Sequence, residues 1–211
     1  MKRSHALLTF LLGTVLITST GCIGSQTNEG WMEKAAAQTA FAPRGWKSQQ
    51  VARLSLQTPT AFVQANQRLD VGLRELPEDI RAKIVSYESW DADADAGAWK
   101  VVVNRITYTK GLELNLDEAT KGTVEDITSG LENACKPHYQ ITPQLVVGLP
   151  GRYLSLSCDL PNEGPVYVEA VIFSDNETLW QVQVVFADKA KLAEAKEVLQ
   201  SVRLNQISQN F

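Results

Sequence analysis

The sequence predicts an α+β fold, an antiparallel sheet flanked by helices, on three observations. Apolar–polar alternation recurs between turn signals, as in Trp180, Val182, Val184 and Phe186 with Gln181 and Gln183 between them. Two other segments, one mid-chain and one near the C-terminus, place their apolar residues at helical spacing. Between these helices, four strand-like runs follow one another with only turn residues separating them. Connections that short join antiparallel strands, since parallel ones need a long crossover.

Taken in order, Val51-Ala52-Arg53-Leu54-Ser55-Leu56 alternates as a strand, and Thr58-Pro59 closes it. Residues 60–82 show no clean period, although Pro77 is placed to open a short helix. Runs 84–90 and 99–109 are rich in β-branched and aromatic residues, and the Asp/Ala/Gly stretch between them reads as a hairpin loop. Trp90 and Trp99 flank that loop as candidate cross-strand partners. Leu116, Ala119, Val124, Ile127, Leu131 and Ala134 mark a helix. Asn115 would cap it, Asp117 and Glu118 suit its first turn, and Pro137 stops it.

Strands follow at 139–147, 152–159, 165–173 and 179–186. Leu149-Pro150-Gly151-Arg152 fits a type II turn, and Ser174-Asp175-Asn176-Glu177 reads as the next turn. In the last strand the tryptophan and valine side is dry, and the glutamine side is expected to be wet. Asp188 then caps a helix running to about Val202, with Leu192, Ala195, Leu199 and Val202 inward.

Ahead of this domain stands an address. Lys2 and Arg3 precede an apolar run from Ala6 to Ile17, too short to span a bilayer comfortably, and small residues lead to Cys22. The stretch resembles a bacterial lipobox, in which Cys22 would be diacylated and become the mature N-terminus. Ser19 stands where that pattern usually has Leu. Ile23, in place of Asp, implies the outer membrane in a two-membrane host, with the domain facing the periplasm. The organisation expected is a signal peptide over 1–21, a lipidated tether over 22–45, the domain over 46–204 and a tail over 205–211. The tether is rich in Gly, Ser, Gln, Ala and Thr. Trp31 and Trp46 are the tryptophans expected to be most exposed.

The formal charge is −4 over 211 residues, and loss of Lys2 and Arg3 makes the exported chain more acidic still. An acidic domain without a basic patch argues against nucleic acid as a partner and against electrostatic adhesion to anionic lipid. Membrane contact is expected through the acyl chains on Cys22.

The element order, the Thr58-Pro59 close, Gly148-Leu149-Pro150-Gly151-Arg152, Leu179-Trp180-Gln181-Val182 and the helix closing at Ser201-Val202 together resemble the Mog1/PsbP-like α/β/α sandwich. The resemblance covers most of residues 46–204. It implies a binding or assembly role and carries over no functional residue. Photosystem members of that family imply metal-assisted assembly, for which no matching ligand set stands in this sequence.

Few residues carry chemistry. Asp91, Asp93 and Asp95 alternate in the acidic stretch 91–97 and could converge on Ca²⁺ if the loop curls. An EF-hand would need Gly at Ala96 and Glu at Val102, so a solvated acidic hairpin loop is the competing reading. Cys135 and Cys158 both point toward the core, which fits a disulfide and also fits two buried thiols. Their spacing excludes a C-x-x-C redox pair. His138 is the only histidine left after export, too few for a multi-histidine zinc site. Ser155 and Ser157 lack a nucleophile elbow, and Gly148-x-x-Gly151 precedes a strand where a phosphate loop needs a helix. The expectation is a lipid-anchored, non-enzymatic envelope protein that binds a protein partner in assembly or maintenance. The alternative is a small-ligand or Ca²⁺ module on the acidic loop; no other cofactor is expected.

Overall fold

Period-two alternation yields ten strands among the described residues, and helical spacing yields the helices that cover them. The structure, a computed structural model, describes residues 45–61, 63–64, 78–94, 99–129, 135–161 and 164–205. The predicted signal peptide, Cys22, Trp31, the tether through residue 44, Asp95, Leu131, Ala134 and the tail from residue 206 lie outside them.

The first strands are β1 (Lys47–Val51), β2 (Leu54–Thr58) and β3 (Val63–Gln64). The short helix α1 (Glu78–Arg81) follows Pro77 as the sequence predicts, and leads to β4 (Ile84–Ala94) and β5 (Trp99–Tyr108). Helix α2 (Leu116–Ser129) precedes the meander β6 (His138–Val146), β7 (Leu149–Leu160), β8 (Gly164–Asp175) and β9 (Thr178–Phe186). A 3₁₀ turn at Lys189–Lys191 runs into α3 (Leu192–Gln200), and β10 (Arg203–Leu204) follows. Seven strands pair antiparallel in the order β3-β4-β5-β9-β8-β7-β6, and a smaller sheet has the order β1-β2-β10.

Both helix starts follow the capping chemistry. Asn115 Oδ1 accepts from the backbone N–H groups of Asp117 and Glu118 at 3.0 and 3.3 Å. Asp188 Oδ1 accepts from Ala190 N–H at 2.9 Å. Helix α3 ends two residues before Val202, and the chain turns at once into β10, which pairs with β2. The Gln57 N–H donates to Ser201 Oγ at 2.8 Å, tying the small sheet to the end of that helix.

Several expectations fail for identifiable reasons. The strand expected through Val51–Leu56 is a hairpin, turning at Ala52 (φ 49°) and Arg53 with Val51 opposite Leu54. No Gly or Asn announces that turn. The turn expected at residues 149–152 sits instead at Val147 (φ 51°) and Gly148 (φ 83°), the double positive φ of a tight hairpin. Gly151 is a strand residue, and it is small because a Cβ there would stand 2.7 Å from Val146 Cγ2. The hairpin also explains two prolines inside strands. Val146 and Leu149 flank the turn and exchange hydrogen bonds, so alternate positions along β6 do not bond to β7. Pro143 is one of these, and its missing N–H would have pointed off the sheet edge. Pro150 lacks an N–H only where β8 is not yet paired, because that pairing begins at Gly151 opposite Phe173.

Trp90 faces Val103, not Trp99, and Trp99 meets the edge of Trp46 at 6.3 Å. Trp46 is therefore half-buried. The glutamine side of β9 is not wet: Gln181 is 0% exposed, because β9 lies mid-sheet with cover on both faces. On one face α3 and the β1–β2 hairpin pack over Trp99, Val101, Val182, Val184 and Phe173. On the other, α2 packs over Leu154, Leu156, Val168, Ala170 and Ile172.

Candidate functional site

Cross-strand register decides which polar residues meet. Strand β4 continues through the start of the acidic stretch, so Asp91 and Asp93 are strand residues on one face, with Asp93 directly opposite Lys100 of β5. The Lys100 ammonium lies 2.7 Å from Asp91 Oδ2 and 3.7 Å from Asp93 Oδ1. The protein's own cation thus stands between the two carboxylates. Asp95 lies outside the described residues. No group of three or more His, Cys, Asp or Glu side chains gathers into a metal-binding cluster among the described residues.

The same face carries a polar layer beneath α2. Tyr87 Oη donates to Asn104 Oδ1 at 3.2 Å, and Asn104 Nδ2 donates to Gln181 Oε1 at 3.2 Å. Gln181 Nε2 donates to Thr123 Oγ1 at 2.9 Å, and Thr123 donates to Ala119 O at 2.9 Å. Four elements (β4, β5, β9 and α2) are linked by one chain of hydrogen bonds that burial makes costly to break. Asp126 lies three residues on from Thr123 along α2. Burial pushes its carboxyl up to about 8, from an ordinary 3.8. Burial first, and the Asp126 charge second, push the Tyr87 phenol well above its usual value. At the helix start Arg152 Nε donates to Asp117 Oδ1 at 2.6 Å and holds that carboxyl below the usual range.

On the opposite face a second carboxylate is buried. Glu169, 3% exposed, accepts from Tyr153 Oη and, at 2.8 Å, from Ser155 Oγ. Beyond it the face of β6 and β7 is open: His138, Gln140 and Thr142 are exposed, and Ser155 and Ser157 are half-buried. His138 sits opposite Ser157. A disulfide joins Cys135 to Cys158 with their Cα atoms 5.9 Å apart. It pins the segment after α2 to β7.

The sequence singles out the cysteines and the aspartates but misses the layer of Tyr87, Asn104, Gln181 and Thr123. One signal was available. Asn104 ends the valine run Val101–Val103, at a position facing Gln181.

No family model matches the sequence, and no curated protein matches it. Among solved structures, the cyanobacterial PsbP protein CyanoP of Synechocystis sp. PCC 6803 is similar at a TM-score of 0.54. The two are 9% identical, over 87% of this chain and 99% of that one. The chain has a PsbP-like fold. Two further structures align at lower scores that add nothing to this assignment. PA94, a protein of unknown function from Pseudomonas aeruginosa, has a TM-score of 0.37 at 12% identity, over 72% of this chain and 88% of its own. LpqN, involved in cell envelope biogenesis of Mycobacterium tuberculosis, has a TM-score of 0.39 at 12% identity, over 78% and 81%. The PsbP-like domain accounts for the element order read from the sequence. At this identity the likeness concerns the fold alone.

Proposed function

We propose that this is a lipid-anchored, non-enzymatic protein of the bacterial cell envelope that binds a protein partner as an assembly or maintenance factor. The observation that carries the reading is a stretch ending at Cys22 that resembles an export and lipidation signal, set ahead of a PsbP-like fold. The chemistry-bearing side chains support it, because they hold one another: Lys100 sits on Asp91, Glu169 takes Tyr153 and Ser155, and Arg152 takes Asp117. In a two-membrane host the acyl chains on Cys22 place the domain on the periplasmic side of the outer membrane. The partner meets the open face of β6 and β7 in preference to the β6 edge, where Pro143 removes one of the outward donors an added strand would need.

Crosslinking of the acylated protein in its own membrane, followed by identification of what co-purifies, tests this reading. A single stoichiometric partner, lost when Thr142→Arg or Ser157→Arg crowds the open face, is the expected result. Repeated crosslinking with no specific partner overturns it. Metabolic labelling with a fatty acid, expected to disappear in Cys22→Ala, tests the anchor separately.

A further inference from the structure

One buried carboxylate sets the hydrogen-bond polarity of the open face of β6 and β7. Glu169 accepts on both oxygens, from Tyr153 Oη on one and from Ser155 Oγ on the other. A hydroxyl has one proton, so each of these two oxygens has only lone pairs left to offer. Tyr153 and Ser155 are both half-buried, and Thr142 and Gln140, which stand opposite them on β6, are exposed. A ligand arriving here therefore meets acceptors. Two neutral hydroxyls relay the carboxylate's polarisation outward and do not cancel its charge.

Charge and aromatic placement narrow the complementary donor to a cation. No lysine stands in β6, β7 or β8, and their one arginine, Arg152, lies on the other face against Asp117. The carboxylates these strands bring to the open stretch are Glu169 and Asp159. On the bordering helical segment Lys189 and Lys196 are exposed, and Lys191 pairs with Glu194. Tyr153 lies two residues before Ser155, and Tyr167 two before Glu169, so by register two phenols bracket the Ser155–Glu169 pair. Tyr167 stacks on Phe186 with ring centroids 5.4 Å apart, which steadies its ring. Aromatic rings beside a carboxylate favour an ammonium or guanidinium over a neutral donor. We propose that this acceptor patch takes a basic side chain of the protein partner, whose N–H groups donate to Tyr153 Oη and Ser155 Oγ. The inference rests on the reading of this face as the partner's docking surface.

Titration of the full acylated chain in a neutral detergent with acetylated, amidated trilysine tests the patch, read by backbone amide shifts. Saturable shifts at Gln140, Ser155, Ser157 and Tyr167 are expected, and triglutamine with the same end groups should give none. Glu169→Gln should weaken trilysine binding by about tenfold or more. Gln140→Lys, an exposed change opposite Ser155 that leaves Glu169 in place, should weaken it too by repulsion. The test therefore stands even if the Glu169 variant fails to fold. Shifts that avoid this face, unchanged affinity in Gln140→Lys, or equal binding of triglutamine would each overturn the proposal. Crosslinking in the membrane keeps the two readings apart. A specific partner captured equally well by Gln140→Lys upholds the assembly reading and overturns the patch. Trilysine bound at these residues with no partner ever captured upholds the patch and overturns the assembly reading.

Discussion

The two covered faces of the seven-stranded sheet are built on different principles. Beneath α3 and the β1–β2 hairpin the contacts are aromatic and aliphatic, from Trp99 and Phe186 through Val182 and Val184 to Phe173. Beneath α2 the apolar cluster gives way, toward β4, β5 and β9, to Asn104, Gln181 and Tyr87. Apolar contacts are non-directional and gain with area, so the α3 face supplies stability with modest demands on register. Hydrogen-bonded side chains demand fixed geometry and leave costly orphans when disturbed, so the α2 face sets position more than strength.

The largest expected effect tests the dry face. Phe173→Ala removes a fully buried ring beside Trp180 and should cost about 3–5 kcal/mol in chemical denaturation. An equal loss from a polar truncation on the α2 face would break the contrast. The next effect concerns the disulfide, since Cys158 lies on the α2 side of β7. With the two positions 23 apart in sequence, Cys135→Ser should cost about 3 kcal/mol, and reductant should bring the wild type to the same midpoint. A variant as stable as the oxidised wild type would show that the polar face needs no staple.

Smaller again is Gln181→Ala. It leaves the Asn104 amide N–H without its acceptor, removes the bond that Thr123 Oγ1 accepts, and should cost about 1–3 kcal/mol. A double-mutant cycle with Asn104→Ala should then show coupling of about 0.5 kcal/mol or more, whereas additive losses would mean that the layer is not a network. The smallest effect falls at the hairpin end. Asp93→Ala should change stability by less than about 1 kcal/mol, because its contact with Lys100 is long and half-exposed. Millimolar Ca²⁺ should leave the melting temperature unchanged while Lys100 holds Asp91. A Ca²⁺-dependent rise abolished by Asp93→Ala would instead make this corner a cation site.

Local chemistry was legible wherever its cause was local. Asn115 and Asp188 cap because a side-chain oxygen beside free N–H groups needs nothing distant. The antiparallel meander was legible because alternation and short connections act within a few residues. The turn at Ala52 was not, since Ala gives no sign of a positive φ that hairpin closure imposes. Gly151 misled for the opposite reason: a glycine kept for close packing against Val146 looks, in sequence, like a glycine kept for a turn.

The sequence alone determined the α+β class, most of the strands, the two capped helices and the acidic charge. These follow from period, capping and charge. Tertiary structure decided that β9 lies between β5 and β8, and with that it buried Gln181 against Asn104 and Thr123. It also set Lys100 between two aspartates and brought Cys135 to Cys158. Strand order is fixed by contacts between residues far apart in the chain, and no local pattern records which distant strand a polar side chain will face.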